Sequence, residues 1–565
     1  MPHMGTVSTL RYRSARTRFV LQSTVLRSLA FRSAVVVAAC GLFAFCLAII
    51  WAVFTNPLEI EVREGSAWIH ALAKRAGVDI YDPAQVAFVN MNHGPLDPIL
   101  KTWVSMAMPT LPGHMVTRFF VLLTPFALLW TAYVLTRRSL PGALVAASAL
   151  FLFFFHVSRM ALAGRADATA LCGAIVCGLL AHQLLVYPSR DWSSRSYTLM
   201  QIGLGAVSTA VVLMSWRYLP VPAALQFVVL VKQITEPRRA LSGGTSRTRR
   251  ALVWCETTLY RVSLSSFCFL FGFALIWLPT YFIELKGDGP NYYRHFFGFF
   301  SAASGWGTFA GAKFQLLPEG LWASRLGSVL VFAGLILLAL FRLRRKPVQL
   351  LAWLVMLVAL WLTVCYGYYK NEGGGGVYYF FEFFIFAWIF VLHTLFQRGR
   401  SSTKAGFALL PLVVYALPWG ELTLYYKTML EIRERAIAFR EDVAIRTAGE
   451  PVFGEDTHLF KHAYRGEVVD TGDTADRIAK SGYFGNQFSD TYIQYTKDLA
   501  RKPPPFVMVG LLSESAQSGV MTPTLHRLLK LRYTRVATMS NNCYAYGGSQ
   551  ALYELRTLRR KGRRH

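Results

Sequence analysis

The sequence predicts an α-helical polytopic membrane protein of about eleven transmembrane helices, followed by a C-terminal, outward-facing mixed α/β domain. Three observations predict this fold class. The chain has 565 residues, of which 54% are hydrophobic and 14% aromatic, and this is too apolar for a soluble protein of ordinary composition. Apolar runs of roughly twenty residues recur along most of the chain. Short basic clusters lie in every second connection between these runs.

The net charge of +28 does not indicate a nucleic-acid-binding protein. Lys and Arg fall in short clusters between apolar runs, where they set the orientation of a membrane protein, and they do not form the basic face of a nucleic-acid reader. Most of the eight cysteines lie inside apolar runs, so neither a disulfide framework nor zinc-ligand spacing follows. We therefore expect membrane lipids as partners and no nucleic acid.

Residues 1–33 form a basic segment that we expect on the cytoplasmic side. The apolar run after it is too long for a signal-peptide core, so we interpret it as a retained first helix. The predicted spans begin near Ala34, Phe119, Gly142, Ala168, Thr198, Leu219, Leu259, Leu326, Leu350, Val377 and Ala405.

The positive-inside rule places the basic connections in the cytoplasm and the alternate connections outside. An odd number of spans then puts the C-terminal tail outside as well. We expect a transmembrane core over 34–424, with a first outer loop over 55–117, and a soluble α/β domain over 425–565. In this domain EPVFGEDTHLF, GEVVDTG and PPFVMVGLL are typical of short strands, and Lys427 to Thr447 is typical of a helix.

The first outer loop holds the densest set of acids and amides in the chain. Glu61 and Glu64 stand three apart just before a helix-like segment, whose positive N-terminus favours their ionised form. A carboxylate held ionised at a membrane surface can serve as a general base; it can also simply cap the helix. Farther along, Asn92 and His93 can position sugar hydroxyls or a phosphate, or satisfy the backbone of a turn.

Three cations are predicted at outer helix ends: Arg165, Arg217 and Lys370. Arg165 and Asp167 begin an otherwise apolar helix, where burying a charge costs on the order of 2.5–3.5 kcal/mol. They should therefore pair with each other or face a polar cavity. Arg suits bidentate phosphate contacts and Lys a point-charge contact, although interfacial snorkelling also explains basic residues near helix ends.

Four motifs together resemble the membrane-integrated glycosyltransferases of the C superfamily, in the bacterial branch of protein mannosyltransferases and aminoarabinose transferases. Arg63-Glu64-Gly65, followed by NHGPL, resembles that family's DEG…PPL first loop. GRADATAL resembles GRPDALAL, the stretch around Arg217 resembles a Lys-centred segment, and KNEGGGGVYYFFEF resembles K-G-G-x-x-NYFLEP. Arg63 replaces the Asp of the acidic pair, Arg217 replaces Lys, and Tyr378 or Tyr379 replaces Asn.

The resemblance implies transfer of a sugar from a polyprenyl-phosphate-linked donor to a glycan, lipid or protein acceptor, with inversion, at the outer face of a bacterial cytoplasmic (inner) membrane. It implies cell-envelope glycan or glycolipid synthesis. Glu64 is favoured as the base, with Glu61 the alternative. The three cations stabilise the phosphate leaving group, and the residues expected to position the substrate are His93, Asn92, Asp167 and Tyr379.

The sequence leaves open the cofactor requirement and two rival functions. No metal-ligand cluster is present in the motifs, but some relatives use a divalent metal ion, so the cofactor requirement is undecided. No Walker-type loop or GxGxxG turn is present, so coupling to ATP has no support. Two rival functions remain: a transporter or flippase of a lipid-linked saccharide, and a polysaccharide polymerase or ligase.

Overall fold

The structure is a computed structural model of the chain. It describes residues 30, 33–57, 63–77, 80, 94–157, 159–187, 194–235, 247–285, 326–370, 379–396, 417–448, 450, 452–455, 468–469, 497–498, 500–510, 523–539 and 550–556.

The described part of the chain is dominated by helices. They are α1 (Ser33–Phe54), α2 (Arg63–Arg75), α3 (Leu96–Ala107), α4 (Gly113–Thr117), α5 (Phe119–Leu135), α6 (Leu140–Val157), α7 (Ala166–Val186), α8 (Arg195–Met214), α9 (Pro220–Thr235), α10 (Arg247–Pro279), α11 (Leu326–Leu343), α12 (Pro347–Lys370), α13 (Phe380–Phe396), α14 (Trp419–Thr447) and α15 (Pro523–Arg532).

Among the described residues, seven helices are long and apolar enough to cross a membrane, and three shorter apolar helices accompany them. The chain is thus a multi-pass membrane protein, as predicted. Each predicted span from Ala34 to Val377 falls on one of these helices. The span predicted near Ala405 lies outside the described residues, so the total of eleven stays a prediction.

Proline shapes the short span predicted at Leu219. A 3-10 turn, Trp216–Tyr218, precedes α9, and the helix then begins at Pro220. Pro220 and Pro222 lie in the first turn, where backbone N–H groups have no partner inside the helix, so proline costs little there. The proline-interrupted run therefore still forms a helix.

Two glycines set the contact between α8 and α10. A Cβ added at Gly205 would overlap the carbonyl oxygen of Phe269, and one added at Gly272 would overlap that of Ile202. The two backbones thus touch directly. Small residues permit this close approach between membrane helices.

We expect Gly205→Ala to lower the free energy of unfolding by about 1–3 kcal/mol, the usual cost of overpacking. Gly203→Ala, two residues away on α8, is the matched control, because within the described residues its Cβ would meet only two side-chain carbons of Leu180, at 3.7 and 4.0 Å. Thermal unfolding of the detergent-solubilised protein measures both. Equal stability of the two variants would show that the helices do not meet at Gly205.

The helix α14 joins the membrane bundle to the C-terminal sheet. Its buried residues recur every three or four positions, giving one apolar stripe. At its start, Tyr425 packs on Phe155 with ring centroids 4.6 Å apart and Tyr426 packs on Phe45, while α14 also contacts a strand of the sheet. The domain boundary predicted at 424/425 falls inside this one continuous helix.

The C-terminal sheet has five strands in the described residues: β1 (Val452–Glu455), β2 (Val468–Val469), β3 (Phe506–Gly510), β4 (Tyr533–Met539) and β5 (Gln550–Leu555). Their order is β2-β1-β3-β5-β4. The strand β1 pairs in parallel with β2 and β3, whereas β5 pairs antiparallel with β3 and β4. The three strands predicted from the sequence are confirmed as β1, β2 and β3, and the helix predicted at Lys427 to Thr447 is part of α14. β4, β5 and α15 were not predicted.

Candidate active site

The predicted base Glu64 lies at the start of α2 in a fully buried ion pair with Arg118. The Arg118 Nε and Nη2 donate to the two carboxylate oxygens at 3.0 and 2.7 Å. Its Nη1 donates to the carbonyl oxygens of Val53 and Asn56 at 2.7 and 2.6 Å. Arg118 therefore ties the end of α1 to the start of α2, and this fork uses both oxygens of Glu64.

A second buried ion pair lies beside the first. Lys101 on α3 donates from Nζ to Asp97 Oδ2 at 2.6 Å. The same Nζ donates to the carbonyl oxygen of Gly164 at 2.8 Å, while the Gly164 N–H donates to Glu64 Oε1. Both ion pairs thus contact Gly164, in the connection between α6 and α7.

Arg165 follows Gly164 and is the first residue of the charged cluster that the sequence predicts to bind phosphate. Its Nη2 lies 3.3 Å from Asp167 Oδ2, so these two charges pair, as the cost of burying them predicts. Asp167 Oδ1 accepts from the Ser215 hydroxyl at 2.8 Å and lies 3.9 Å from Arg217 Nη1. Arg217 Nε lies 2.6 Å from Glu382 Oε1. Two arginines and two carboxylates therefore form one chain of charges across three helix ends.

Aromatic rings flank Arg217. Its guanidinium carbon lies 4.6 Å from the ring centroid of Tyr379 and 5.1 Å from that of Tyr218, which are cation–π distances. Tyr379 immediately precedes α13, which carries Glu382. The structure therefore brings together four of the predicted site residues: Arg165, Asp167, Arg217 and Tyr379.

The remaining predicted residues are described in part or not at all. Glu61, Asn92 and His93 lie outside the described residues. Lys370 is the last residue of α12, and its side chain is not described. Gly94, next to His93 in sequence, donates its N–H to the carbonyl oxygen of Met214 at 3.0 Å, one residue before Ser215. The first loop thus returns to the bundle beside the charge cluster.

Four charged residues of this region were not among the predicted site residues. They are Asp97, Lys101, Arg118 and Glu382. Glu382 carried a usable signal, since a carboxylate inside a Phe-rich apolar helix is costly and usually functional. Asp97 and Lys101 stand four apart on α3, so their pairing could have been predicted from helical spacing. The partner of Arg118 becomes visible only when segments 54 residues apart meet.

Within the described residues, no group of three or more His, Cys, Asp or Glu side chains is arranged to hold a metal ion. The two carboxylates nearest the predicted phosphate site, Asp167 and Glu382, are each paired with arginine. This donor set does not fit a metal ion, because an arginine already neutralises each carboxylate.

The fold is shared with ArnT from Cupriavidus metallidurans bound to undecaprenyl phosphate. The two chains are 13% identical, the match covers 91% of this chain and 97% of that one, and the TM-score is 0.52. The apo state of ArnT matches at 14% identity over 91% of this chain and 98% of that one, with a TM-score of 0.48.

The archaeal oligosaccharyltransferase AglB from Archaeoglobus fulgidus, in complex with an inhibitory peptide and a dolichol-phosphate, matches at 12% identity over 89% of this chain and 73% of that one, with a TM-score of 0.44. No family model and no curated protein matches the sequence. The match to ArnT confirms, at the level of the fold, the resemblance predicted from the motifs.

Proposed function

We propose that this protein is a glycosyltransferase that moves a sugar from a polyprenyl-phosphate-linked donor to an acceptor, with inversion at the anomeric carbon. The observation that carries the proposal is the pair Arg165 and Arg217, both held by Asp167 at one end of an apolar helix bundle. Two guanidinium groups at such a site suit a lipid-linked phosphate. ArnT, which has the same fold, was solved with undecaprenyl phosphate bound.

Charge balance assigns a role to a third cation. Arg165 and Arg217 are offset by Asp167 and Glu382, so the described cluster is close to neutral before a phosphate enters. An anionic leaving group requires additional positive charge. We assign this charge to Lys370, at the end of α12 and nine residues before Tyr379.

The acceptor hydroxyl requires a base. The sequence favoured Glu64, but the contacts of Glu64 with Arg118 and Gly164 favour a positioning role for it. We therefore propose Glu61 as the base that removes the hydroxyl proton during attack on the anomeric carbon. His93 and Asn92 position the sugar or the phosphate. A single displacement needs only one carboxylate, and it inverts the anomeric carbon.

We further propose the orientation that the basic clusters indicate. The N-terminus lies in the cytoplasm of a bacterium and the site faces outward from the cytoplasmic membrane. The domain over 425–565 lies on the same outer side and shapes the site for a glycan, lipid or protein acceptor. This placement suits a chain whose sequence contains no nucleotide-binding loop.

The test is transfer of radiolabelled sugar from synthetic polyprenyl-phosphate donors to membrane extracts. We expect Glu61→Gln to lower the transfer rate by about 10²-fold, the lower range for loss of a general base. Glu59→Gln removes a carboxylate from the same loop and is the matched control, with transfer near that of the wild type. Both variants should bind polyprenyl phosphate as tightly as the wild type.

The outcomes separate the parts of this proposal. If the wild type consumes none of the donors, the glycosyltransferase assignment is wrong. If Glu61→Gln transfers normally while the wild type is active, the base is another residue and the donor assignment stands.

A further inference from the structure

The peptide groups on both sides of Gly164 are held by charged side chains. The Gly164 N–H donates to Glu64, and its carbonyl oxygen accepts from Lys101 Nζ at 2.8 Å. A Cβ at this position would lie 2.9 Å from backbone and side-chain atoms of Thr117, closer than real Cβ contacts. Gly164 therefore has no room for a side chain, and both its N–H and its carbonyl oxygen are hydrogen-bonded.

Glu64 and Lys101, the two side chains that hold Gly164, are each held by a second charged residue. Arg118 donates to Glu64, and Lys101 is paired with Asp97 at 2.6 Å. All four side chains are almost fully buried, with relative exposures of 0–2%. Charges buried to this degree hold their partners strongly, because breaking one pair leaves an uncompensated charge.

The fixed glycine leads directly into the phosphate cluster. Arg165 is the next residue and the N-cap of α7, with an extended backbone. Asp97 also accepts from the Thr169 hydroxyl at 3.2 Å, in the first turn of the same helix. The two ion pairs thus hold the Gly164 backbone before Arg165 and the Thr169 side chain after it.

We propose that Glu64–Arg118 and Asp97–Lys101 form a double clamp on Gly164, and that this clamp sets the position of Arg165 for a phosphate group. Glu64, Asp97 and Lys101 are then positioning residues that act through Arg165. This inference rests on the proposed function, because it takes Arg165 to contact the donor phosphate. A displaced arginine would still carry its charge but would lose the aligned fork on which tight phosphate binding depends.

The experiment is a double-mutant cycle on phosphate binding. The probe is radiolabelled undecaprenyl monophosphate, bound to the full chain in nanodiscs. We expect Lys101→Met to weaken binding about tenfold in the wild-type background, within the coupling range of residues that share partners. In the Arg165→Ala background the same change should have almost no effect, since Lys101 acts only through Arg165.

Thr102→Val is the matched control. Thr102 is the next residue on α3, and its hydroxyl donates to the carbonyl oxygens of Ala71 and Pro98, not of Gly164. It should leave probe binding unchanged in both backgrounds. If Lys101→Met does not fold, Asp97→Asn/Lys101→Met replaces it, because the double variant leaves no unpaired buried charge.

Each outcome bears on a different step. If Lys101→Met weakens binding equally in both backgrounds, or in neither, the clamp is wrong while the phosphate role of Arg165 survives. If the wild type binds no probe, or Arg165→Ala binds it normally, the proposed phosphate site fails and the positioning role fails with it.

Discussion

Replacing Arg118 with methionine is expected to lower the free energy of unfolding by about 3–5 kcal/mol, the usual cost of removing one partner of a buried ion pair. Within the described part of the chain, Arg118 donates two hydrogen bonds to Glu64 and two to the backbone carbonyl oxygens of Val53 and Asn56. Methionine keeps most of the apolar part of the Arg118 side chain, but it removes the guanidinium that pairs with the fully buried carboxylate of Glu64. Thermal or denaturant unfolding in detergent measures the loss.

The chain offers a close control in Arg446→Met. Arg446 also contacts both oxygens of a carboxylate, that of Asp442, at 2.9 and 2.8 Å. Here the side chains are 45% and 42% exposed, so solvent screens the pair and its loss should cost less than about 1 kcal/mol. Adding Glu64→Gln to Arg118→Met should recover part of the stability. Similar losses for Arg118→Met and Arg446→Met would contradict the structural role of the buried pair.

Much of the fold follows from local sequence, and the exceptions have a physical cause. An apolar run long enough to span a membrane has few alternatives to a helix, so the spans could be predicted singly. The strand β4 could not. Its ends, Tyr533 and Met539, are buried while the residues between them are only partly buried or exposed, and its pairing with β5 contains an irregularity between Arg535 and Ala537. The alternation that identifies a strand is therefore broken.

The candidate site also has one part that local sequence predicts and another part that depends on tertiary contacts. The pairing of Arg165 with Asp167 could be predicted, because charges at the ends of apolar helices need partners. A role in phosphate binding stays a proposal for Arg165 and Arg217. Glu64 was also identified, but its partner stands 54 residues later in the sequence. Arg118 precedes an apolar helix, where snorkelling to the interface is a sufficient explanation for a basic residue. The pairing that changes the interpretation of Glu64 from base to anchor is a tertiary contact, and no local pattern encodes it.

Arg217→Gln is expected to reduce sugar transfer by about 10³-fold, in the range seen when one group that stabilises developing negative charge is removed. Arg217 lies between Glu382 at 2.6 Å and the ring of Tyr379 at 4.6 Å, so its guanidinium plane is held on two sides. The measurement is the transfer rate at saturating donor, together with unfolding of the same preparation. A loss in kcat indicates an effect on the leaving group and not only on binding.

Arg217 also neutralises Glu382. A double variant separates this role from the proposed action of Arg217 on the phosphate. Glu382 is 2% exposed, so Arg217→Gln alone leaves a buried carboxylate without its ion-pair partner, and inactivity could follow from that charge. Arg217→Gln/Glu382→Gln removes both charges. If Arg217 acts on the phosphate, the double variant folds at least as well as Arg217→Gln yet stays as inactive. If Arg217 serves only to neutralise Glu382, transfer returns, and the leaving group must then be stabilised by the remaining cations.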